Sequence, residues 1–357
     1  MNRRAAALFG GWACVASLGC GSRTGFELSA AGLGVDGGTT TQSCTGEGVV
    51  VLAPGANAPA GVPLAGNAIA VDSTSVYWTT VNPRGGAGGS VMKVPRCGGA
   101  STTLASITYA GDIINALALA VDSTNVYWGT HDEAQGAPGD QVMATPIGGG
   151  VSIPIAAGDA LTLVADATSV YWTDTQQGVF KVPLAGGTPF QLASSRGQGV
   201  GVLAVDGTHA YWAQAILGIR SAPLDGGEPT TLVPGTMVSG SGVARMLVAG
   251  DRLYWVEVGP AGGILSVPTG GGAPVVLVAE TDIASLALDD TNLYWLNDGC
   301  PGSACTGLVK KVPLGGGTPT VVVPGSQAHP GATGALVVDA TSVYWTSGNA
   351  VMKWSPK

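Results

Sequence analysis

Charged side chains are scarce in this sequence. Only 11% of the 357 residues are Asp, Glu, Lys or Arg, whereas an average soluble protein has roughly 25%. There is no basic excess either, because the net charge is −8 at pH 7. Without a basic stripe to displace counterions from phosphates, nucleic-acid binding is excluded. The acidic residues are spread along the chain, which indicates solubility rather than a site for many cations.

Stretches without glycine or proline are also rare, because the chain contains 58 glycines and 22 prolines. Few windows beyond the first ten residues could hold three turns of helix without one of them. Long helices are therefore excluded. The 45% of hydrophobic residues are nevertheless enough for a large core.

The N-terminus has the pattern of an export signal. A positive segment, Met1–Arg4, precedes an apolar run, Ala5–Leu18, that is too short for a stable spanning helix. Residues Ser17–Cys20 resemble a bacterial lipoprotein signal, although Leu18 stands one place nearer the cysteine than is usual. The resemblance implies a lipid on Cys20 and a membrane anchor; cleavage without lipidation remains the alternative.

The predicted boundaries are a signal at 1–20, a tether at 21–46 and a folded domain at 47–357. The tether is rich in Gly, Ser and Thr and contains few large apolar residues, which is typical of a flexible linker. The expected location is the cell envelope, in the outer membrane or facing the periplasm.

One dipeptide, Tyr-Trp, recurs at intervals of about 40 to 50 residues, which is the mark of a repeat architecture. It accounts for seven of the eight tyrosines and seven of the nine tryptophans. The pairs lie at 77/78, 127/128, 171/172, 211/212, 254/255, 294/295 and 344/345.

Each repeat has the pattern of four short strands, called a to d in chain order. In the first repeat, strand a is the apolar run Ala68–Asp72, and strand b holds Tyr77 and Trp78. Strand c is Val91–Pro95, and strand d is Thr102–Ala105 after a Gly-Gly turn. Units of this kind predict an all-β fold, a seven-bladed β-propeller of four-stranded blades.

The strand count predicts how the ring closes. Strands a, b and c occur seven times, but strand d follows only the first six repeats. The last repeat stops at Val351–Lys357, whereas Val49–Ala53 has the composition of the missing strand. We therefore expect the N-terminal strand to complete the seventh blade and protect its edge.

Two repeated features have structural explanations. Because blades stack face to face, Tyr and Trp of strand b would face opposite neighbouring blades. A carboxylate at the a–b turn would accept hydrogen bonds from the next backbone amides, and one Asp per blade offers too few oxygens for calcium. These residues are Asp72, Asp122, Asp206, Asp289 and Asp339.

Four cysteines follow the signal, and an even number in an exported chain predicts disulfides. Cys300 and Cys305 would close one loop. Cys44 and Cys97 would lie at the rims of adjacent blades, where a bond would attach the N-terminal strand to its neighbour. A zinc site would need suitable histidines, which do not accompany these cysteines.

The tetrapeptide Tyr171–Asp174, YWTD, resembles the signature of the propellers of low-density-lipoprotein-receptor type. The repeats over about 67–357 look like that superfamily, and the resemblance implies a closed ring, usually of six blades there. The chain is more similar to exported bacterial propeller lipoproteins with a repeated Val-Asp-x-Thr-x-Val-Tyr-Trp. Receptor-type ligand binding does not transfer, because partners are specific to each family.

The two ends of the predicted ring differ in sequence. The a–b and c–d turns (the turn face) are nearly identical between blades, whereas the b–c and d–a loops (the loop face) vary. Since loops carry function on rigid scaffolds, we predict a monomeric module that binds a protein or glycan there, without a cofactor. The candidate residues are Asn82, Arg84, Tyr109, His131, Asp132, Glu133, Asn297, Asp298 and His329.

Two alternatives remain open. One is an enzyme similar to propeller lactonases or streptogramin lyases, with a metal or a histidine near the central channel. Asn67 and Asn115 would begin innermost strands there, and Asp112, Asp159 or Asp282 would have to bend inward. The histidines at 131, 209 and 329 show no metal-site spacing. The other alternative is a structural protein of the envelope.

Overall fold

The computed structural model describes residues 48–53, 68–81, 89–106, 112–132, 139–235, 238, 242–259, 262–297, 307–325, 334–347 and 350–357. At 81, 112–118 and 131–132 the description covers the backbone. The regular structure within these ranges is 28 β-strands in seven antiparallel sheets of four strands each. In the described part of the chain, no helix is long and apolar enough to cross a membrane.

The strands follow the chain in order, with one blade after another. The first described strand is β1 (Gly48–Ala53). Blade 1 is β2 (Ile69–Val71), β3 (Ser75–Val81), β4 (Gly89–Pro95) and β5 (Thr102–Ser106). Blade 2 is β6 (Asp112–Val121), β7 (Asn125–Asp132), β8 (Gln141–Pro146) and β9 (Ile153–Ala157). Blade 3 is β10 (Thr162–Ala165), β11 (Ser169–Asp174), β12 (Gly178–Pro183) and β13 (Phe190–Ser194).

The remaining four blades repeat this order. Blade 4 is β14 (Val200–Val205), β15 (His209–Gln214), β16 (Gly218–Pro223) and β17 (Thr230–Pro234). Blade 5 is β18 (Val243–Ala249), β19 (Arg252–Glu257), β20 (Gly263–Pro268) and β21 (Val275–Val278). Blade 6 is β22 (Ile283–Leu288), β23 (Asn292–Asn297), β24 (Leu308–Pro313) and β25 (Thr320–Val323). Blade 7 contains β26 (Leu336–Val338), β27 (Val343–Ser347) and β28 (Ala350–Ser355).

The fourth strand of blade 7 comes from the other end of the chain. β1 pairs antiparallel with β28, and Gly48 lies opposite Ser355 while Val51 lies opposite Met352. The innermost strands of successive blades contact one another, and β2 contacts β26. The predicted seven-bladed ring and its closure by the N-terminal strand are therefore confirmed.

The Tyr-Trp dipeptides form the boundaries between blades. Successive side chains of a strand point to opposite faces. In each strand b, Tyr faces the next blade and Trp faces the preceding one, which confirms the prediction that the two rings face opposite neighbours. None of the fourteen rings is more than 4% exposed, and burying such a side chain stabilises by roughly 1.5–3 kcal/mol. The pairs that share a hydrophobic cluster are Tyr77/Trp128, Tyr127/Trp172, Tyr171/Trp212, Tyr211/Trp255, Tyr254/Trp295, Tyr294/Trp345 and Tyr344/Trp78.

The turn face repeats one hydrogen-bonded unit. Oδ1 of Asp72 accepts from the backbone amides of Thr74 at 2.6 Å and Ser75 at 2.7 Å, which confirms the predicted turn role. Oδ2 of Asp72 accepts from the hydroxyl of Tyr77 at 2.7 Å, a bond that the sequence analysis did not predict. Equivalent units are Asp122–Tyr127, Asp166–Tyr171, Asp206–Tyr211, Asp289–Tyr294 and Asp339–Tyr344.

Blade 5 departs from this unit because Ala249 stands where the other blades have aspartate. The hydroxyl of Tyr254 instead donates to the carbonyl of Leu314 in blade 6, at 3.3 Å. In three other blades a strand-c lysine reaches the equivalent carbonyl of the next blade. These contacts are Lys93 to Ile147, Lys181 to Leu224 and Lys353 to Arg96.

Further contacts of the turn face join the two ends of the chain. The guanidinium of Arg96, in blade 1, donates to the hydroxyl of Tyr344 at 2.9 Å and pairs with Asp339 in blade 7. The next residue, Cys97, is disulfide-bonded. Its partner lies outside the described residues, so the pairing with Cys44 stays a prediction. Cys20, Cys300 and Cys305 also lie outside them.

Candidate functional site

The predicted loop-face residues fall into three groups. Asn297 is described with its side chain. His131 and Asp132 belong to strand β7, where they lie opposite Ile113 and Asp112, so placing them in a loop was wrong. Strand β7 continues through these two residues because β6 begins at Asp112 and pairs with both of them. The remaining candidates lie outside the described residues: Asn82, Arg84, Tyr109, Glu133, Asp298 and His329.

Asn297 belongs to a polar cluster at the loop-face end of blade 6. Its side-chain amide donates to the carbonyl of Thr281 at 3.1 Å and to Oε2 of Glu280 at 3.5 Å. The same Oε2 accepts from the indole N–H of Trp295 at 3.3 Å. The ammonium of Lys310 donates to both oxygens of Glu280, at 2.9 and 3.0 Å. The carboxylate is thus neutralised, and the cluster fixes the loop that leads from blade 5 to blade 6.

Blade 3 closes its b–c turn with a different group. Asp174 is buried, and its Oδ1 accepts from the backbone amides of Gln176 and Gln177, each at 2.9 Å. Its Oδ2 accepts from the side-chain amide of Gln177 at 3.0 Å. The carboxylate of the YWTD tetrapeptide is therefore used to hold its own turn.

Blade 4 carries an arginine and a glutamine at the register positions that Lys310 and Asn297 occupy in blade 6. The side-chain amide of Gln214 donates to the carbonyl of Ser195 at 2.8 Å. Arg220 donates to the carbonyl of Pro229 at 2.7 Å, while its buried Nε has no acceptor. Burial lowers the pKa of Arg220, and the positive charge of Arg196 lowers it further. The positive charges of Arg196 and Arg220 thus lie close enough to repel each other.

A further charged residue of the loop face, Arg245, was missed by the sequence analysis. It lies on β18, the innermost strand of blade 5, and is partly buried. Burial lowers its pKa. Aligning the innermost strands on the residue opposite each tryptophan would have singled it out, because the equivalent positions in the other described blades are small or short. They are Ala68, Thr162, Val202, Ser285 and Ala335.

Among the channel residues of the enzyme alternative, Asp159 and Asp282 are described with their side chains. Asn67 lies outside the described residues. The sequence predicted that the innermost strand of blade 2 begins at Asn115. The strand begins earlier, at Asp112. Asp282 has a positive φ of 61° and accepts from the hydroxyl of Thr281 at 3.2 Å. Among the side chains that the structure describes, including Asp159, no three His, Cys, Asp or Glu residues form a group able to hold a metal ion.

Comparison with known proteins supports the fold. No protein-family model and no curated protein matches the chain in sequence. The computationally designed protein Ika8 is 14% identical, with 87% of this chain and 100% of Ika8 covered and a TM-score of 0.54. This chain is a β-propeller.

Two larger proteins contain a region of similar structure. The GH74 enzyme of Niastella koreensis is 16% identical, with 82% of this chain and 53% of the enzyme covered and a TM-score of 0.58. PorZ, a surface component of the type-IX secretion system of Porphyromonas gingivalis, is 13% identical, with 81% of this chain and 37% of PorZ covered and a TM-score of 0.51. The propeller spans about half of the first protein and over a third of the second. At these identities the likeness concerns the fold alone.

Proposed function

We propose that this propeller is an exported, membrane-tethered module that binds a protein or a glycan across its loop face. The observation that carries the proposal is the chemical contrast between the two faces. Six of the seven blades use the same Asp–Tyr unit on the turn face. At the loop-face end the described polar groups differ between blades: blade 3 holds its b–c turn with Asp174, whereas Glu280, at the boundary of blades 5 and 6, pairs with Lys310.

This contrast favours binding because the two faces meet different demands. A turn that only has to join two strands can be identical in every blade. A surface that recognises one asymmetric partner needs different side chains at each position, held by a rigid scaffold. We further propose that the Tyr-Trp strands make the chain a divergent relative of the YWTD-type propellers, with a seventh blade.

The tether belongs to the same proposal. A lipid on Cys20 and a polar linker over 21–46 would hold the propeller near a membrane surface without crossing it. Intact mass spectrometry of the protein isolated from its envelope tests this point. A mature chain that starts at Cys20 and carries acyl groups supports the tether, whereas an unacylated start elsewhere contradicts it.

Partner capture tests the binding itself. The full-length protein should enrich the same protein or glycan in repeated pull-downs from envelope extracts. Replacing 133–138 with Gly and Ser, together with Lys310→Ser, should abolish this enrichment. The matched control, Asp225→Ser with Glu228→Ser, alters the turn face and should leave capture unchanged. Equal loss in both variants, or no reproducible enrichment by the original protein, contradicts a loop-face binding module.

A further inference from the structure

Arg245 lies near the loop-face end of the innermost strand of blade 5. It is the third residue of β18, and β18 is the innermost strand of its blade. Two residues later, Leu247 packs in the hydrophobic cluster between blades 5 and 6. Because residues two apart share a face of a strand, the side chain of Arg245 leaves from this same side, toward blade 6.

The guanidinium makes no hydrogen bond or ion pair with any residue that the structure describes. Its three nitrogens carry five N–H donors, so five donors are left without a described protein acceptor. The side chain is partly rather than fully buried, so part of it remains accessible to solvent. An unpaired charge in such surroundings is unfavourable, and most are paired.

Two carboxylates at the loop-face end of blade 5 do not meet this demand. Arg245 lies opposite Val256, whereas Glu257 is the next residue and points to the other side of the sheet. There, the indole N–H of Trp255 donates to Oε2 of Glu257 at 3.3 Å. Glu280, at the boundary of blades 5 and 6, is held through both oxygens by Lys310. Each acid thus has another cationic or N–H donor.

Two other blades carry small residues at the register of Arg245. These residues are Ala68 in blade 1 and Ala335 in blade 7. The polar residues at this level are engaged: the hydroxyls of Thr162 and Thr173 lie 2.8 Å apart, and the hydroxyl of Ser285 accepts from the backbone amide of Leu336 at 3.0 Å. Arg245 is therefore a long, charged residue at a register position where these other residues are small or already hydrogen-bonded.

We propose that Arg245 is the anchor of an oxyanion-binding site at the loop-face end of the central channel, taking a small ligand or a chain end that bears a carboxylate or a phosphate. The planar guanidinium matches such groups through two parallel N–H···O bonds. Partial burial strengthens these bonds because water competes less. This site goes beyond loop-face binding of a macromolecule, since it needs a single anionic group inside the channel and does not depend on any loop contact.

The direct test is an anion titration followed on the arginine side chains. The Nε–Hε signals of ¹⁵N-arginine-labelled protein are recorded while inorganic phosphate, acetate or chloride is added at constant ionic strength. Arg245→Gln assigns the signal. We expect saturable movement of the Arg245 signal with phosphate or with acetate but not with chloride. The more effective anion tells which of the two sources the site prefers.

Variants separate this site from general charge effects. Arg245→Gln should weaken binding of the effective anion at least tenfold, whereas Arg245→Lys should retain part of it. The control, Arg252→Gln, removes the same charge from the same blade, where Arg252 donates to the hydroxyl of Ser266 at 2.8 Å. It should bind the anion as the original protein does.

The results that overturn the site are equally specific. A linear, unsaturable shift with every anion, or an affinity that Arg245→Gln leaves unchanged, rules it out. Partner capture by the loop face is measured separately. If the anion titration fails while capture persists, only the oxyanion site is wrong; if capture fails while the anion binds, only the proposed function is wrong.

Discussion

The hydroxyl of Tyr77 donates a 2.7 Å hydrogen bond to Oδ2 of Asp72, five residues earlier on the preceding side of the a–b turn. The other oxygen of Asp72 accepts from two backbone amides of the turn. One carboxylate therefore caps the turn and satisfies a tyrosine whose ring is packed against the next blade. The unit links the conformation of a turn to the packing between two blades.

Removing the carboxylate should destabilise the ring more than removing the hydroxyl. Asp72→Ala leaves two amides and one buried hydroxyl without their acceptor, so we expect the free energy of unfolding to fall by roughly 2–3 kcal/mol. Tyr77→Phe removes one bond and should lower it by about 1 kcal/mol. Urea denaturation followed by tryptophan fluorescence measures both changes.

Blade 5 supplies the control for this comparison. Tyr254 has no aspartate partner and makes a longer bond, 3.3 Å, to the carbonyl of Leu314. Tyr254→Phe should therefore lower the free energy of unfolding by less than about 0.5 kcal/mol. An effect as large as that of Tyr77→Phe would show that loss of the hydroxyl, rather than of the Asp–Tyr bond, determines the result.

The same units predict an alkaline limit of stability. Burial, together with the hydrogen bond to Asp166, raises the pKa of Tyr171 to about 12, whereas an unfolded tyrosine titrates near about 10. Between these values the unfolded state binds fewer protons than the folded state, so stability falls as pH rises. The contribution is complete below about pH 10 and is lost toward about pH 12.

Tyrosinate absorbance and tryptophan fluorescence, followed together during a base titration, test this expectation. The tyrosines of strand b should ionise only as the protein unfolds. Tyr171→Phe should reduce the loss of stability above about pH 10 relative to the original protein. Ionisation of these tyrosines near about pH 10 without unfolding would contradict the proposed protection.

One glycine is required by the geometry of blade 3. Gly178 has a φ of 137°, and a Cβ there would lie 1.9 Å from the carbonyl oxygen of Ala193. Gly178→Ala should lower the free energy of unfolding by more than about 2 kcal/mol because the backbone must move. The control is Gly207→Ala, where a Cβ would meet no atom within 4 Å. Calorimetry should show a change within about 0.5 kcal/mol for the control, and similar losses in both variants would refute the steric argument.

The predicted partner of Cys97 can be identified by a double-mutant cycle. If Cys44 is the partner, Cys44→Ser, Cys97→Ser and the double variant should all lose the same free energy, roughly 3–4 kcal/mol. Urea denaturation with and without a reductant measures the loss, and reduction should have no further effect on the variants. Additive losses in the double variant would assign Cys97 to another cysteine.

The sequence was sufficient for the ring because its main signals are periodic. A dipeptide such as Tyr77-Trp78 fixes strand b, and the Gly-Gly turns fix the ends of strands c and d. The surplus strand at Val49–Ala53 could then be assigned by elimination, and the structure places it against β28. Counting repeats succeeded where each element contacts only its immediate neighbours.

The loop face could not be predicted in the same way, because its contacts depend on single residues and distant parts of the chain. Glu280 and Lys310 are thirty residues apart, and no local pattern shows that they meet. Arg245 carries no motif and becomes distinctive only when its register against β19 is known. The bond from Tyr77 to Asp72 was missed because the turn role of the aspartate already explained its recurrence.

Closure by β1 has a consequence for how the molecule is made. Among the described strands β1 is synthesised first, but its partner, β28, is synthesised last. Until β28 has been synthesised, blade 7 cannot be completed, and Trp78 of blade 1 lacks its packing partner Tyr344 of blade 7. Folding of blade 7 must therefore follow synthesis of β28, and during that interval the unfinished ring exposes unpaired strand edges and apolar side chains that a chaperone could bind.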